Sequence, residues 1–157
     1  MDIGEIEERL QHFLKEKVIE LKVPRERRIF VRIKKESFRE AVDYLVNQLG
    51  FRHLSTITGV DLGKEIELLY HLAHNGIELS LGLSLPKDNT CISTITDLIP
   101  GAVLYEREVH DLLGVKFEGH PDLSPLLLPE EWPKEVYPLR KEHTLDELRE
   151  LMSKKWG

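Results

Sequence analysis

The stretch EIELLYHLAHNGIELSLGLSL, residues 65–85, determines the architecture because it contains two strands and the turn between them. Apolar side chains alternate with more polar ones on both sides of Asn75-Gly76. Both central residues of a type I′ turn need positive φ, and Asn-Gly meets that requirement readily. The apolar positions are Ile66, Leu68, Tyr70 and Leu72 before the turn, and Ile77, Leu79, Leu81, Leu83 and Leu85 after it. The pattern predicts an antiparallel hairpin with one covered and one exposed face.

Segments on the N-terminal side of this hairpin supply the helices that would cover it. Apolar residues recur every three or four positions from Ile3 to Val18, which predicts an amphipathic helix. Residues 28–33 alternate like a half-buried strand, and residues 51–60 are rich in β-branched side chains. Ser37 and Glu40 form a capping-box pattern that begins a second helix. The order of elements predicts an α+β fold, a two-layer sandwich of a mostly antiparallel sheet with helices on one face.

One more helix is predicted before the character of the chain changes. Residues 101–113 have helical periodicity, and Gly114 follows them as a residue suited to a left-handed cap. We therefore assign residues 1–114 to the α+β domain.

The rest of the chain is proline-rich and lacks sustained periodicity. Prolines interrupt both helices and sheet ladders, and they stand at positions 121, 125, 129, 133 and 138. We name residues 115–143 the arm and expect it to lie extended on the surface of another protein. A short terminal helix over residues 144–157 is predicted from the capping box of Thr144 with Glu147.

Composition argues against several classes of function. The net charge is −6 and no basic stripe interleaves with aromatic residues, so nucleic-acid binding is not predicted. The single cysteine, Cys91, cannot form an internal disulfide or supply the four thiolates of an iron–sulfur cluster, and we expect no cofactor. No apolar run approaches the roughly 20 residues that span a bilayer, and the acidic N-terminus is unlike a signal or transit peptide. Few amides beside many charged residues are typical of a thermophile.

The densest polar cluster is Glu106-Arg107-Glu108-Val109-His110-Asp111. On a helix, Glu106 and His110 are neighbours, and so are Arg107 and Asp111. One interpretation is an ion-pair ladder on a helix face. The other is a metal-dependent enzyme whose ligands and bases are Glu106, Glu108, His110 and Asp111, although their spacing differs from the H-E-x-x-H arrangement of zinc hydrolases.

The same cluster begins a longer pattern that continues through the arm. Its members are Glu106-Arg107-Glu108, Asp111, Gly114, Phe117, Gly119-His120-Pro121-Asp122-Leu123, Leu126, Leu127, Trp132 and Pro138-Leu139-Arg140-Lys141. In these residues the chain resembles the thirty-kilodalton subunit family of respiratory complex I (the C-type subunit of NADH-quinone oxidoreductase), which includes the matching subunit of membrane-bound, energy-converting nickel–iron hydrogenases. The resemblance is specific over residues 97–142. Where the family usually has a basic residue, this chain has Ser124.

The resemblance implies a non-catalytic structural subunit of the peripheral arm of a membrane-associated redox complex, without a cofactor. The implied partners are a hydrogenase-large-subunit-like protein of the forty-nine-kilodalton type and the small iron–sulfur subunit. The hetero-oligomer would lie on the cytoplasmic face of the membrane, which this chain would contact only through the complex. An energy-converting hydrogenase or a related ferredoxin-linked complex is the favoured assembly, and NADH:quinone oxidoreductase is the alternative. A free-standing adaptor domain is a further possibility.

The resemblance and the apolar arm together predict which residues dock on the partner, because a large exposed hydrophobic patch usually marks an interface. The predicted docking residues are Glu106, Arg107, Glu108, Asp111, Phe117, His120, Pro121, Asp122, Leu126, Leu127, Trp132, Pro138, Leu139, Arg140 and Lys141. A buried charge network is expected to form among Glu106, Arg107, Glu108 and Asp111. Arg140 is expected to face a partner carboxylate. Without its partner, the arm is expected to be loose and sensitive to proteases.

Overall fold

The computed structural model describes residues 1–156, and side chains up to Lys154. Five strands form one sheet in the order β1-β2-β5-β4-β3. Their bounds are β1 Val18–Arg25, β2 Arg28–Ile33, β3 His53–Asp61, β4 Glu65–His74 and β5 Ile77–Pro86. Strands β2 and β5 pair in parallel, and the other three pairings are antiparallel. The predicted mostly antiparallel sheet is therefore confirmed.

The hairpin of β4 and β5 forms the centre of the sheet. The two strands pair without interruption from Glu65 opposite Pro86 to His74 opposite Ile77. Asn75 and Gly76 have φ of 47° and 76°, as a type I′ turn requires. The predicted alternation is confirmed, since the apolar side chains of both strands are buried on one face.

Three helices cover that buried face, namely α1 (Ile3–Leu14), α2 (Phe38–Asn47) and α3 (Ala102–Leu113). The rings of Phe13 in α1 and Tyr44 in α2 stack with 3.8 Å between centroids. Phe38 of α2 packs on Tyr70 of β4 at a centroid distance of 4.8 Å. Their apolar residues and those of the sheet form one core, which confirms the predicted two-layer sandwich.

Helix α3 approaches β3 closely because Gly59 has no side chain. A Cβ placed on Gly59 would lie 2.4 Å from Cδ1 of Leu113. The terminal methyl group of Leu113 thus occupies the space that any other residue at position 59 would fill. This contact sets the position of α3 along the edge of the sheet.

Two local predictions near the N-terminus were wrong. The first helix ends before Lys15, which has φ of 47°, and Val18 begins β1 instead of continuing the helix. Strand β1 was missed because it has weak alternation and contains Pro24, a residue that sheets tolerate at their edges.

The capping box predicted at Ser37 is not formed. A short 3₁₀ turn over Lys35–Ser37 precedes α2, and it places Ser37 in a helical conformation in which its hydroxyl caps no backbone N–H group. The Glu40 carboxylate forms an ion pair with Lys17 instead. The helix itself was predicted correctly.

A second, two-stranded sheet lies at the start of the predicted arm. Strands β6 (Cys91–Ser93) and β7 (Lys116–Glu118) pair in parallel, with α3 connecting them. Phe117 of β7 is buried in the core. The first residues of the arm are therefore an integral part of the domain rather than extended chain.

Residues 119–143 contain no helix or strand, and α4 (Leu145–Trp156) follows them. The capping box predicted at its start is confirmed, because Thr144 and Glu147 each accept the other's backbone N–H at 3.2–3.3 Å. The last residue of the predicted helix, Gly157, lies outside the described residues. Within residues 1–156, no helix is both long and apolar enough to cross a membrane.

The buried side chain of Tyr70 allows the energetics of the core to be tested. Its hydroxyl is buried and has no hydrogen-bond partner within the described residues. Burial, with a smaller contribution from the Glu106 charge, raises the pKa of Tyr70 well above its usual value. We expect Tyr70→Phe to raise the free energy of unfolding in urea by about 1 kcal/mol, because the variant no longer buries an unpaired hydroxyl. Tyr44→Phe, at a partly buried ring, is the control and should change little; a clear loss of stability in Tyr70→Phe would contradict this interpretation.

Candidate functional site

Asp111 on α3 fixes the middle of the arm. Its side chain is buried, and Oδ2 accepts the backbone N–H groups of Leu126, Leu127 and Leu128 at 2.8, 2.8 and 3.3 Å. Three successive N–H groups that converge on one carboxylate oxygen make a set of charge-assisted hydrogen bonds. The arm is therefore tied to its own domain at this point.

Glu106, five residues earlier, is 0% exposed and holds the segment before α3. Its carboxylate accepts the N–H of Ile95 at 2.9 Å and the hydroxyl of Thr94 at 2.5 Å. Burial raises the pKa of Glu106, while these two hydrogen bonds act in the opposite direction. Its nearest basic neighbour is His120, whose Nε2 lies 3.9 Å from Oε2.

His120 turns the chain at the beginning of the irregular part of the arm. Its Nδ1 accepts the backbone N–H of Asp122 at 2.9 Å, so the ring proton is on Nε2, which donates to the Val103 carbonyl at 3.0 Å. The Asp122 carboxylate then accepts the Ser124 N–H at 2.9 Å, and that bond is the main reason for its lowered pKa. These contacts are local to α3 and the arm.

Arg107 contacts the position at which this chain departs from the family pattern. Its guanidinium donates to the Ser124 carbonyl at 3.1 Å, the Ser124 hydroxyl at 3.3 Å and the Pro125 carbonyl at 3.0 Å. A basic group is thus present beside residue 124, and it comes from α3.

The C-terminal end of α3 is capped by the last part of the arm. The Arg140 Nε donates to the Leu113 carbonyl at 2.7 Å, and its guanidinium lies 4.9 Å from the centroid of the Tyr137 ring. Leu139 N–H donates to the Leu112 carbonyl at 3.0 Å. A cation that binds the last carbonyls of a helix also interacts favourably with the helix dipole.

Gly114 permits this arrangement. It has φ of 75°, and a Cβ on it would lie 2.3 Å from the Tyr137 ring. The glycine is therefore needed both for the left-handed cap of α3 and for the approach of the arm.

Asp61, at the end of β3, fixes the end of the arm. It accepts the N–H of Lys141 at 2.8 Å, the ammonium of Lys87 at 2.7 Å and the N–H of Gly63 at 2.8 Å. Burial alone would raise the pKa of Asp61, but the hydrogen bonds and the charge of Lys87 together lower it to about 2. Lys87 also pairs with Glu142, so one lysine joins the strand end to the arm.

The charged residues of α3 do not form the predicted network. Glu106, Arg107 and Asp111 each bind a different part of the chain, and none binds another. Glu108 is exposed and has no hydrogen bond or ion pair among the described residues, while His110 is 2.8 Å from the Val115 carbonyl. The ion-pair ladder is therefore wrong. In the part of the chain that the structure describes, no three His, Cys, Asp or Glu side chains are arranged to hold a metal ion, so the metal-enzyme interpretation gains no support.

The predicted docking residues divide into two groups. Eight are wholly or partly buried within the chain, and they are Glu106, Arg107, Asp111, Phe117, His120, Trp132, Pro138 and Arg140. Arg140, expected to face a partner carboxylate, binds the helix end instead. Seven are exposed, and they are Glu108, Pro121, Asp122, Leu126, Leu127, Leu139 and Lys141.

Three leucines of the exposed group form what we name the leucine set, namely Leu126, Leu127 and Leu139, with exposed fractions of 36%, 57% and 57%. Their backbones are held by Asp111 and by the end of α3, so their side chains are presented outward from a fixed main chain. Between Leu127 and Leu139 in the chain, Trp132 closes a loop by donating to the Val136 carbonyl at 2.7 Å. The loop and α3 enclose a pocket of about 340 Å³ lined by His110, Trp132 and Tyr137.

Several residues that hold the arm, or the segment before α3, were missed in the sequence. Asp61, Lys87 and Thr94 contact partners that are 12 to 80 positions away, which no local pattern records. One local pattern in the sequence could have identified Asp61. An Asp followed two residues later by Gly is typical of a turn in which the carboxylate binds the backbone.

Comparison with known proteins gives consistent matches. The family described as "Respiratory-chain NADH dehydrogenase, 30 Kd subunit" matches residues 31–149. The C subunit of F(420)H(2) dehydrogenase from Methanosarcina mazei is 35% identical over 147 residues, covering 91% of this chain and 92% of that protein. The beta subunit of the membrane-bound hydrogenase from Pyrococcus furiosus is 32% identical over 118 residues, covering 72% of this chain and 68% of that protein.

Two solved structures share the fold. A chain of the membrane-bound sulfane sulfur reductase, an archaeal respiratory membrane complex, matches with a TM-score of 0.79 and 30% identity, covering 98% of this chain and 92% of that chain. The trypsin-resistant fragment (1–134) of Nqo5 matches with a TM-score of 0.65 and 26% identity, covering 75% of this chain and 98% of that fragment.

The order of the arm in the isolated chain should depend on Asp111. Asp111→Ala leaves three backbone N–H groups without their acceptor, and we expect the free energy of local opening to fall by about 1.5–3 kcal/mol. Trypsin cleavage after the exposed Lys134, followed by mass spectrometry, should become about 10- to 100-fold faster. Glu108→Ala on the same helix is the matched control and should leave the rate unchanged. Equal rates in both variants would show that Asp111 does not order the arm.

Asp61 should make stability depend on pH in the acid range. Its pKa is lowered from 3.8 to about 2, so its contribution is complete above about pH 4 and is lost as the pH falls toward 2. We expect Asp61→Asn to reduce the free energy of unfolding by on the order of 2 kcal/mol at pH 6, and the difference from wild type to close near pH 2. Urea titrations at several pH values measure this. Glu65→Gln, at an exposed carboxylate, is the control; a pH-independent difference for Asp61→Asn would contradict the assignment.

Proposed function

The chain belongs to the family of the 30 Kd subunit of respiratory-chain NADH dehydrogenase, and on that premise we propose that it is a non-catalytic structural subunit of a membrane-associated oxidoreductase complex. The observation that carries the proposal is the leucine set, three exposed apolar side chains on a main chain that is fixed by Asp111 and by the C-terminal end of α3. An apolar surface on an ordered backbone is suited to binding a protein partner.

The absence of an active site in this subunit is part of the proposal. The two buried carboxylates on α3 hold the chain, since Glu106 and Asp111 both accept backbone N–H groups, and the exposed Glu108 is hydrogen-bonded to neither of them. A carboxylate saturated by structural hydrogen bonds is poorly placed for proton transfer to a substrate. The proposed role of this segment is therefore to attach the subunit to its partner.

The proposed partner is a hydrogenase-large-subunit-like protein of the forty-nine-kilodalton type, with the small iron–sulfur subunit nearby. The leucine set would lie on the large subunit, and Pro121 and Asp122 would lie at the rim of the same contact, since both are exposed at the start of the irregular arm. The complex would present this subunit on the cytoplasmic side of the membrane.

Among possible assemblies, we favour an energy-converting hydrogenase or a related ferredoxin-linked complex over NADH:quinone oxidoreductase. The support is the length of the match: the relatives from F(420)H(2) dehydrogenase and sulfane sulfur reductase each cover more than nine tenths of this chain and of their own. The hydrogenase relative covers less of both chains. The proposal thus concerns the group of complexes whose matching subunit has a length similar to that of this chain. The reaction of the complex would be carried out by the partner subunits.

Affinity purification of the tagged full-length chain from its own membranes, solubilised in mild detergent, tests the proposal. Mass spectrometry should recover a large subunit together with the small iron–sulfur subunit. A large subunit with four nickel-ligating cysteines identifies a hydrogenase, and one without them identifies another complex of the group. Recovery of the chain alone, or of one soluble partner unrelated to hydrogenases, would overturn the proposal in favour of an adaptor.

The leucine set should contribute directly to assembly. Leu127→Asp places a charge in the centre of the proposed contact, and we expect recovery of the large subunit to fall by about tenfold or more. Ile19→Asp is the matched control, because Ile19 is 59% exposed on β1, away from the arm. Circular dichroism should show both variants folded. Equal recovery with the two variants would place the contact elsewhere.

A further inference from the structure

The two edges of the main sheet differ in how well they are protected. Strand β1 carries Pro24, several charged side chains and two irregularities in its pairing with β2, all of which discourage further pairing. Strand β3 at the other edge has one irregularity, between Leu54 and Thr56, and pairs regularly with β4 from Thr56 to Asp61. It has no proline and no Asp, Glu, Lys or Arg between His53 and Asp61. Long uncharged edges of this kind are open to an added strand.

The register identifies the backbone groups that face outward on β3. At the turn that joins β3 to β4, Leu62 N–H donates to the Glu65 carbonyl at 2.8 Å. Residues of an antiparallel pair alternate between bonded and non-bonded positions, so Thr58 and Val60 bond to β4, while Ile57, Gly59 and Asp61 direct their N–H and C=O groups away from it. The described residues provide no hydrogen bond to these outward groups.

A groove runs beside this edge. Helix α3 forms its wall with Val109 and Leu112, and Gly59 forms part of its floor, in a space of about 230 Å³. Above Gly59 the space is filled by the Leu113 methyl group, which therefore also lines the groove. An edge strand with a helix alongside it can hold an extended peptide that pairs with the strand and inserts alternate side chains toward the helix.

Two residues at the rim of the groove define what fits there. Glu108 is exposed and has no ion pair among the described residues, so it can pair with a basic side chain. Leu139 lines the groove and also belongs to the leucine set, so the groove and the proposed contact are continuous.

We propose that an extended segment of the partner subunit binds this groove as a sixth strand on β3, an inference that rests on the proposed function. The segment has about five or six residues, matching the three outward-facing positions of β3. Its side chains toward α3 are small or β-branched and apolar, and one Lys or Arg pairs with Glu108. A second copy of this chain fits less well, because its β3 has no Lys or Arg between His53 and Asp61 to meet Glu108.

Hydrogen–deuterium exchange on the wild-type chain, alone and within the affinity-purified complex, tests the proposal without any mutation. In the isolated chain, the amides of Ile57 and Gly59 should exchange rapidly, whereas those of Thr58 and Val60 should be protected by β4. In the complex, exchange at Ile57 and Gly59 should slow by about 100-fold or more. Electron-transfer fragmentation of the peptide spanning residues 53–61 resolves the individual amides.

The outcomes separate this inference from the proposed function. A complex that forms while Ile57 and Gly59 still exchange rapidly overturns the added strand and leaves the proposed function standing; failure to recover any complex overturns both. Protection that appears in the isolated chain and disappears on dilution identifies a second copy as the occupant and also overturns the proposal. Glu108→Arg should reduce the protection of Ile57 and Gly59 in the complex about tenfold, whereas Glu8→Arg, the same change at an exposed site on α1, should leave it unchanged.

Discussion

A segment interrupted by five prolines cannot satisfy its own backbone in a helix or sheet, and its remaining N–H groups need acceptors elsewhere. In this chain, buried carboxylates on neighbouring elements meet that need. Asp111 binds three N–H groups in the middle of the arm, and Asp61 binds one at its end. The position of α3 and the path of the arm both follow from these acceptors.

Two glycines make the approach of these elements possible. Gly59 admits Leu113 where α3 meets the sheet, and Gly114 admits the Tyr137 ring where the arm returns to α3. The two contacts involve adjacent positions, Leu113 and Gly114, at the C-terminal end of α3. The close contacts of α3 with the sheet and with the arm therefore both depend on glycines, which have no side chain.

The sequence predicted well the elements that depend on local periodicity. The β4–β5 hairpin, α2 and α3 have clear apolar patterns and suitable glycines at their ends. Strand β1 was missed because an edge strand need not alternate strictly, and β7 was missed because a three-residue strand is too short to show a period. Both depend on pairing partners that are remote in sequence.

The docking residues remain a prediction, and the structure shows only what each of their side chains contacts within the chain. The family pattern drew attention to α3 and the arm, yet the pattern itself does not distinguish a side chain that binds the chain's own backbone from one that faces a partner. Glu106 and Arg140 illustrate the difference, since their partners are backbone groups 11 and 27 residues away.

The hydrogen bonds between Asp111 and the arm also have a consequence for the kinetics of binding. Fixing a residue's backbone costs roughly 1–2 kcal/mol of conformational entropy, and here folding of the subunit has already ordered the arm. In the proposed complex, binding can then proceed as an encounter of two preshaped surfaces, with association rate constants of about 10⁵–10⁷ M⁻¹s⁻¹, rather than waiting for a disordered tail to fold on its target.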